Sequence, residues 1–146
     1  MVDVLHRAGD ALTAAELYEL LRLRVDVFVV EQECPYPELD GSDLSPSTQH
    51  LWTGQDGEVS ACLRILPEPG GVLRIGRVCT AKPARGTGVA SLLMRAAMEQ
   101  APEAEYILDA QTYAEGFYAR FGFVAEGEPF DEDGIPHVTM RRPAGR

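Results

Sequence analysis

Long apolar runs are missing from this 146-residue chain: none approaches the roughly 20 residues of a membrane span, and no membrane partner is expected. The N-terminal stretch, with Asp3 and Asp10, lacks the basic-then-apolar pattern of a secretory signal, so a cytoplasmic location is expected. Cysteine is scarce. Cys34, Cys62 and Cys79 are odd in number, far apart and without CxxC spacing, which excludes a disulfide framework and leaves no metal expected. Clustered Lys and Arg are also missing from a chain of net charge −10, so nucleic acid is not an expected partner. There is no internal repeat or low-complexity tract, and residues 1–146 read as a single domain with one core.

The elements follow from periodicity and turn chemistry. Val2 to His6 alternates as a short strand. Thr13 with Glu16 forms a capping box for a helix that should end before Pro35. Its two apolar stripes, Leu17, Leu21, Val25, Phe28 and Leu20, Leu23, Val27, Val30, predict burial on more than one side. Cys34 to Ser47 is rich in Pro, Asp, Gly and Ser and suits a binding loop. His50 to Thr53 and Val59 to Leu66 read as strands joined by an Asp56-Gly57 hairpin turn, followed by a strand over Val72 to Thr80. A helix from Gly88 to Gln100 precedes a strand over Tyr106 to Ala110. Thr112 and Glu115 predict a second capping box, opening a short helix that closes at Gly122. The strands Phe123 to Glu126 and Pro136 to Arg141 flank a turn over Asp131 to Gly134. This is an α+β order, a mixed sheet with helices on its faces.

Between the Val72 strand and the Gly88 helix lies RGTGVA, Arg85 to Ala90. A strand passing through small residues into a helix leaves several N–H groups unpaired and pointing one way, which suits an anion. Gly86, Thr87 and Gly88 also begin a GxGxxG, with Asp109 about 20 residues on as a dinucleotide site requires, although Ser91 stands in place of the third glycine. A ligand-free turn is the plainest alternative.

Arginine or glutamine, two free positions, glycine, one free position, then glycine or alanine resembles the pyrophosphate loop of the GNAT acyl-CoA N-acyltransferases, met here by Arg85, Gly88 and Ala90. FYARFGF, Phe117 to Phe123, resembles that family's second motif, with Tyr118 in the tyrosine's place. FVVEQECPYPELDG, Phe28 to Gly41, and EDGIPHVTM, Glu132 to Met140, resemble its ElaA-like branch. The resemblance implies the GNAT fold, a central mostly antiparallel sheet of about seven strands flanked by about four helices. It also implies transfer of an acetyl group from acetyl-CoA to a primary amine by direct attack. The pyrophosphate is then expected on the amides of Arg85, Gly86, Thr87, Gly88, Val89, Ala90 and Ser91, and the pantetheine arm beside Val78, Cys79 and Thr80. Tyr118 is implied as the general acid, with a buried structural aromatic as its alternative. The family usually has proline three residues before the arginine; here Lys82 stands there and Pro83 follows.

Charge divides along the chain. From Val25 to Leu63 there are eight carboxylates and no Lys or Arg; from Pro69 to Met98 there are Arg74, Arg77, Lys82, Arg85 and Arg95 and no Asp or Glu. A polyanionic cofactor at the second segment and a cationic amine at the first would suit this division, unless Arg64 and Arg77 pair with the acidic loop instead. Glu31, Glu33, His50 and His137 are the candidates for holding the amine or taking its proton. The expected partner is a cationic small-molecule or protein amine, with a homodimer left open. A non-catalytic acyl-CoA-binding module is the alternative function.

Overall fold

A computed structural model describes residues 3–145 of the chain. Strand β1, Val4–Ala8, leads to α1, Ala14–Arg24, opened as predicted by Thr13. The Thr13 hydroxyl accepts from the Glu16 N–H at 3.1 Å, and the Glu16 carboxylate accepts from the Thr13 N–H at 3.0 Å. Val2, the start of the predicted strand, lies outside the described residues. Strands β2, Gln49–Gln55, and β3, Glu58–Pro67, meet at the Asp56-Gly57 turn, where both residues have positive φ as a type I′ turn requires. The remaining elements are β4, Leu73–Thr80; α2, Val89–Glu99; β5, Tyr106–Gln111; α3, Glu115–Ala119; β6, Val124–Glu132; and β7, Ile135–Arg142.

The sheet has seven strands in the order β1-β2-β3-β4-β5-β7-β6, and every neighbouring pair is antiparallel except β4 with β5. Period-2 alternation sends Leu51, Leu63 and Ile75 to one face, where they pack with Leu93 and Met94 of α2. Trp52 and Cys62 point to the other face and meet Leu20, Leu23 and Val27. Among the described residues no helix is long and apolar enough to cross a membrane.

Three local expectations change. The first helix ends before Pro35 as expected but is not α-helical throughout: beyond Arg24 it winds as a π-helix over Val25–Glu31, with Gln32 N–H reaching back five residues to Val27 C=O at 3.2 Å. The wider turn shifts the helical phase, so Val30, in register with a buried stripe by sequence, is 64% exposed. The Thr112–Glu115 capping box does not form, because Thr112 lies inside a 3-10 turn, Thr112–Ala114, instead of standing extended ahead of the helix. The described residues form three α-helices beside the about four that the resemblance implied. Strand β6 is also longer than predicted, running through a register shift between Glu126 and Phe130 to a tight turn at Asp133 and Gly134.

Candidate active site

The site begins where the sheet comes apart. β4 and β5 pair only at Leu73 with Tyr106 and Arg74 with Ile107, and then separate. Beyond Arg74 a cleft of about 950 Å³ opens between them, reached by α3, the end of the π-helix and the β6–β7 turn. The upper part of β4 faces it with backbone. Ala81 N–H donates to Ser60 C=O at 2.8 Å on β3, while Thr80 C=O instead accepts from Arg85 Nε at 3.0 Å. The groups of Thr80 thus point away from β3 into the gap, and alternation turns those of Val78 with them and those of Cys79 toward β3. Of the predicted trio, Val78 and Thr80 are the edge a ligand could pair with. The Cys79 Sγ lies 3.7 Å from Cys62 Sγ, packed on the sheet face against α1.

Above this edge the predicted anion loop takes shape. Lys82–Ala84 forms a 3-10 turn with Pro83 inside it, so the proline shifted by one place is accommodated. Gly86 and Gly88 have φ of 79° and 84°, which side chains resist, and a Cβ on either would meet open space. Glycine is needed here for conformation rather than for want of room within the protein. The first bond of α2 runs from Leu92 N–H to Gly88 C=O at 3.1 Å, so the amides of Gly88, Val89, Ala90 and Ser91 have no intrahelical acceptor. They sit at the positive end of the helix dipole. The Arg85 guanidinium folds back toward the cleft and pairs with Glu31 at 2.8 Å. That bond from Arg85 holds the Glu31 carboxyl below its ordinary range.

Tyr118 is presented by the short α3 and is 9% exposed, lining the cleft. Phe117 and Phe123 hold its ring edge-on, at centroid distances of 5.0 and 6.3 Å. Burial pushes its hydroxyl far above the usual tyrosine range, so it stays protonated at any physiological pH. No described residue accepts a bond from that hydroxyl. His137 also lines the cleft; its Nδ1 lies 2.7 Å from Ile135 C=O and its Nε2 3.6 Å from Glu132, with Phe130 stacked on the ring.

The other two acceptor candidates stand apart. His50 is 1% exposed on β2 and binds Asp43 C=O at 2.9 Å; burial lowers its pKa. Glu33, with a φ of 51° just past the π-helix, is exposed and is not among the residues lining the cleft. Two links invisible to sequence reasoning join elements that line the cleft. The amides of Gln32 and Gln111 bond each other at 3.2 and 3.3 Å, and Cys34 Sγ–H donates to Asp133 C=O at 3.2 Å.

The acidic loop is largely spent on the protein itself. Arg24, 1% exposed at the end of α1, pairs with Glu38 at 2.6 Å and Asp43 at 2.7 Å. Arg64 pairs with Asp40 and Asp43, and Arg77 with Glu38 at 2.9 Å. Tyr36 donates to Glu38 as well. Glu38, Asp40 and Asp43 are thus paired with the guanidiniums of Arg24, Arg64 and Arg77, of which Arg64 and Arg77 line the cleft together with Asp40. For Arg24, burial opposes the charge but Asp43 and Glu38 outweigh it, and its pKa rises. The alternative pairing of Arg64 and Arg77 with this loop is the one observed.

A mostly antiparallel sheet split beside a helix N-terminus defines the class of acyl-CoA N-acyltransferase folds. It is not a dinucleotide domain: β4 with β5 is the only parallel pair among the described residues, and Asp109 is held by Arg74 at 3.0 Å and Thr139 at 2.7 Å. The family description "Acetyltransferase (GNAT) domain" matches residues 22–143, and the chain belongs to this family, in its ElaA-like branch. It is 50% identical over 148 residues to the UPF0039 protein Rv2851c of Mycobacterium tuberculosis, covering 98% of this chain and 95% of that protein. It is 39% identical over 137 residues to Protein ElaA of Escherichia coli, covering 90% of each. The crystal structure of Escherichia coli ElaA superposes with a TM-score of 0.90 at 36% identity over 97% of this chain and 99% of that one. An acyl-CoA N-acyltransferase from Pseudomonas aeruginosa superposes at 0.89 with 43% identity, again over 97% and 99%.

Proposed function

We propose that this GNAT protein transfers the acetyl group of acetyl-CoA to a cationic primary amine by direct attack, with Tyr118 as general acid. The carrying observation is the buried, protonated Tyr118, which lines the cleft between β4 and β5 and whose hydroxyl no described residue accepts from. The residues divide the work by position. The amides of Gly88 to Ser91 and the helix dipole hold phosphate. Val78 and Thr80 offer backbone partners to the pantetheine arm, and an amide there polarises the thioester carbonyl. Tyr118 gives its proton to the departing thiolate.

The amine must lose a proton before it attacks. Glu31 is committed to Arg85, Glu33 lies outside the cleft and His50 is bound beneath it. His137 is the candidate base that fits. Its Nδ1 faces a carbonyl, which puts the neutral ring's proton there and leaves Nε2 as the acceptor. Glu132 beside Nε2 stabilises the imidazolium once formed. Exposed Asp133 and Glu132 give the cleft's open side the negative charge that favours a cationic acceptor.

The test has two stages. Acetyl-CoA and CoA, but not NAD, should raise the melting temperature. Tyr118→Phe should then lower turnover about 100-fold across an amine screen read by thiol release, with CoA affinity kept. Absence of turnover on every amine, with CoA still bound, would favour the non-catalytic binding module.

A further inference from the structure

Between the paired positions Cys62–Cys79 and Arg64–Gly76, β3 contributes one residue, Leu63, and β4 contributes two, Arg77 and Val78. That is a β-bulge. Its first residue, Arg77, has φ of 54°, in the left-handed region that this kind of bulge normally gives to glycine. An arginine in a glycine's place needs a reason, and the side chain supplies one. Arg77 Nε donates to Glu38 Oε2 at 2.9 Å and Nη2 to the Glu38 carbonyl at 3.0 Å. The Glu38 side chain is 2% exposed and is itself fixed by Arg24 at 2.6 Å. The Tyr36 ring lies under the guanidinium at 5.8 Å.

The bulge falls just beyond Arg74, where β4 leaves β5, and just before Val78 and Thr80, whose backbone faces the cleft. A bulge bends its strand and resets which way the following groups point. We propose that Glu38, through Arg77, is a positioning residue for the reaction: the clamp holds Arg77 left-handed and thereby aims the Val78–Thr80 edge at acyl-CoA. The acidic loop then serves the cofactor side by shaping β4, in place of serving the amine by its charge. This rests on the acyl-CoA reading of the cleft.

The discriminating pair is Arg77→Ala and Arg77→Gly. Both remove the clamp, but only glycine takes the left-handed conformation without strain. Arg77→Gly should melt roughly 2–6 °C above Arg77→Ala, reversing the order of these residues in ordinary strands, where glycine is the worse. By calorimetry with CoA, Arg77→Gly should bind about ten-fold more tightly than Arg77→Ala, in line with the cost of small misplacements at a site. Glu38→Gln should also weaken CoA binding, and adding Arg77→Gly should restore the affinity without the melting temperature, since Arg24 stays underpaired. If Glu38→Gln does not fold, the Arg77 pair decides alone. Arg77→Ala melting at or above Arg77→Gly would overturn the clamp, and equal CoA affinities of the two would overturn its positioning role. If the wild type binds no CoA, the functional reading and the positioning role fall together, while the melting order still reports on the clamp.

Discussion

Single residues here are tied most tightly by charge. Asp43 is accepted into a buried site only because Arg24 and Arg64 both reach it, and their pull outweighs burial to lower its pKa. A depressed carboxylate contributes stability in full above its unfolded value of about 3.9 and loses it as pH falls through the lower folded value. The protein should therefore weaken below about pH 4, and Asp43→Asn should flatten that dependence while costing about 3–5 kcal/mol at neutral pH. Denaturant midpoints at pH 7, 5 and 3 measure both effects. Arg64 and Arg77 could be named from the sequence as partners for the acidic loop, but Arg24 and the individual pairs could not. Arg24 lies 14 residues from Glu38 and Arg77 lies 39, so no spacing rule links them. What the residues did announce was local: the Thr13 hydroxyl needs only Glu16, and Asp56-Gly57 needs only its own backbone.

At the level of elements, the anion loop was legible because its chemistry is carried by consecutive residues at a helix start. Gly88 makes this measurable. Its φ of 84° and the open space around its Cβ mean that Gly88→Ala brings backbone strain without a clash. The expected loss of stability is about 1–2 kcal/mol, and the same change should weaken CoA binding by disturbing the amides of Val89 to Ser91; chemical denaturation and calorimetry on one variant separate the two. Where elements depend on phase or competition, sequence reading failed. The run of β-branched residues after Arg24 fits an α-helical stripe on paper, yet the π-turn rotates Val30 out and turns Glu31 and Gln32 toward the cleft. Thr112 has a capping spacing, but the chain tightens into a 3-10 turn through it. His137 could be named from sequence as a candidate; only the partner of its Nδ1, the Ile135 carbonyl two residues back, shows which nitrogen is free.

For the whole molecule the sheet is the frame, and its order explains where chemistry is allowed. Strands β1 to β4 form one antiparallel block and β5, β7 and β6 another, joined by the pairing of Leu73 and Arg74 with Tyr106 and Ile107. The α2 helix packs against β2, β3 and β4 and so belongs to the first block, while α3 and Tyr118 follow the second. An acyl donor lying between them would touch both. Such a seam gives the fold a mechanical character. The two half-sheets share backbone pairing only at one end, while one apolar core of β2 to β5, β7 and α2 binds them on one face, so the free edges can breathe like the covers of a book. A ligand seated along the open seam becomes the missing rung. Without ligand, amide protection should be lowest along the open edges of β4 and β5, and saturating CoA should raise it there more than elsewhere in the sheet, as hydrogen exchange would read. The acyl carrier would then be, for as long as it stays, part of the scaffold that holds its own binding site together.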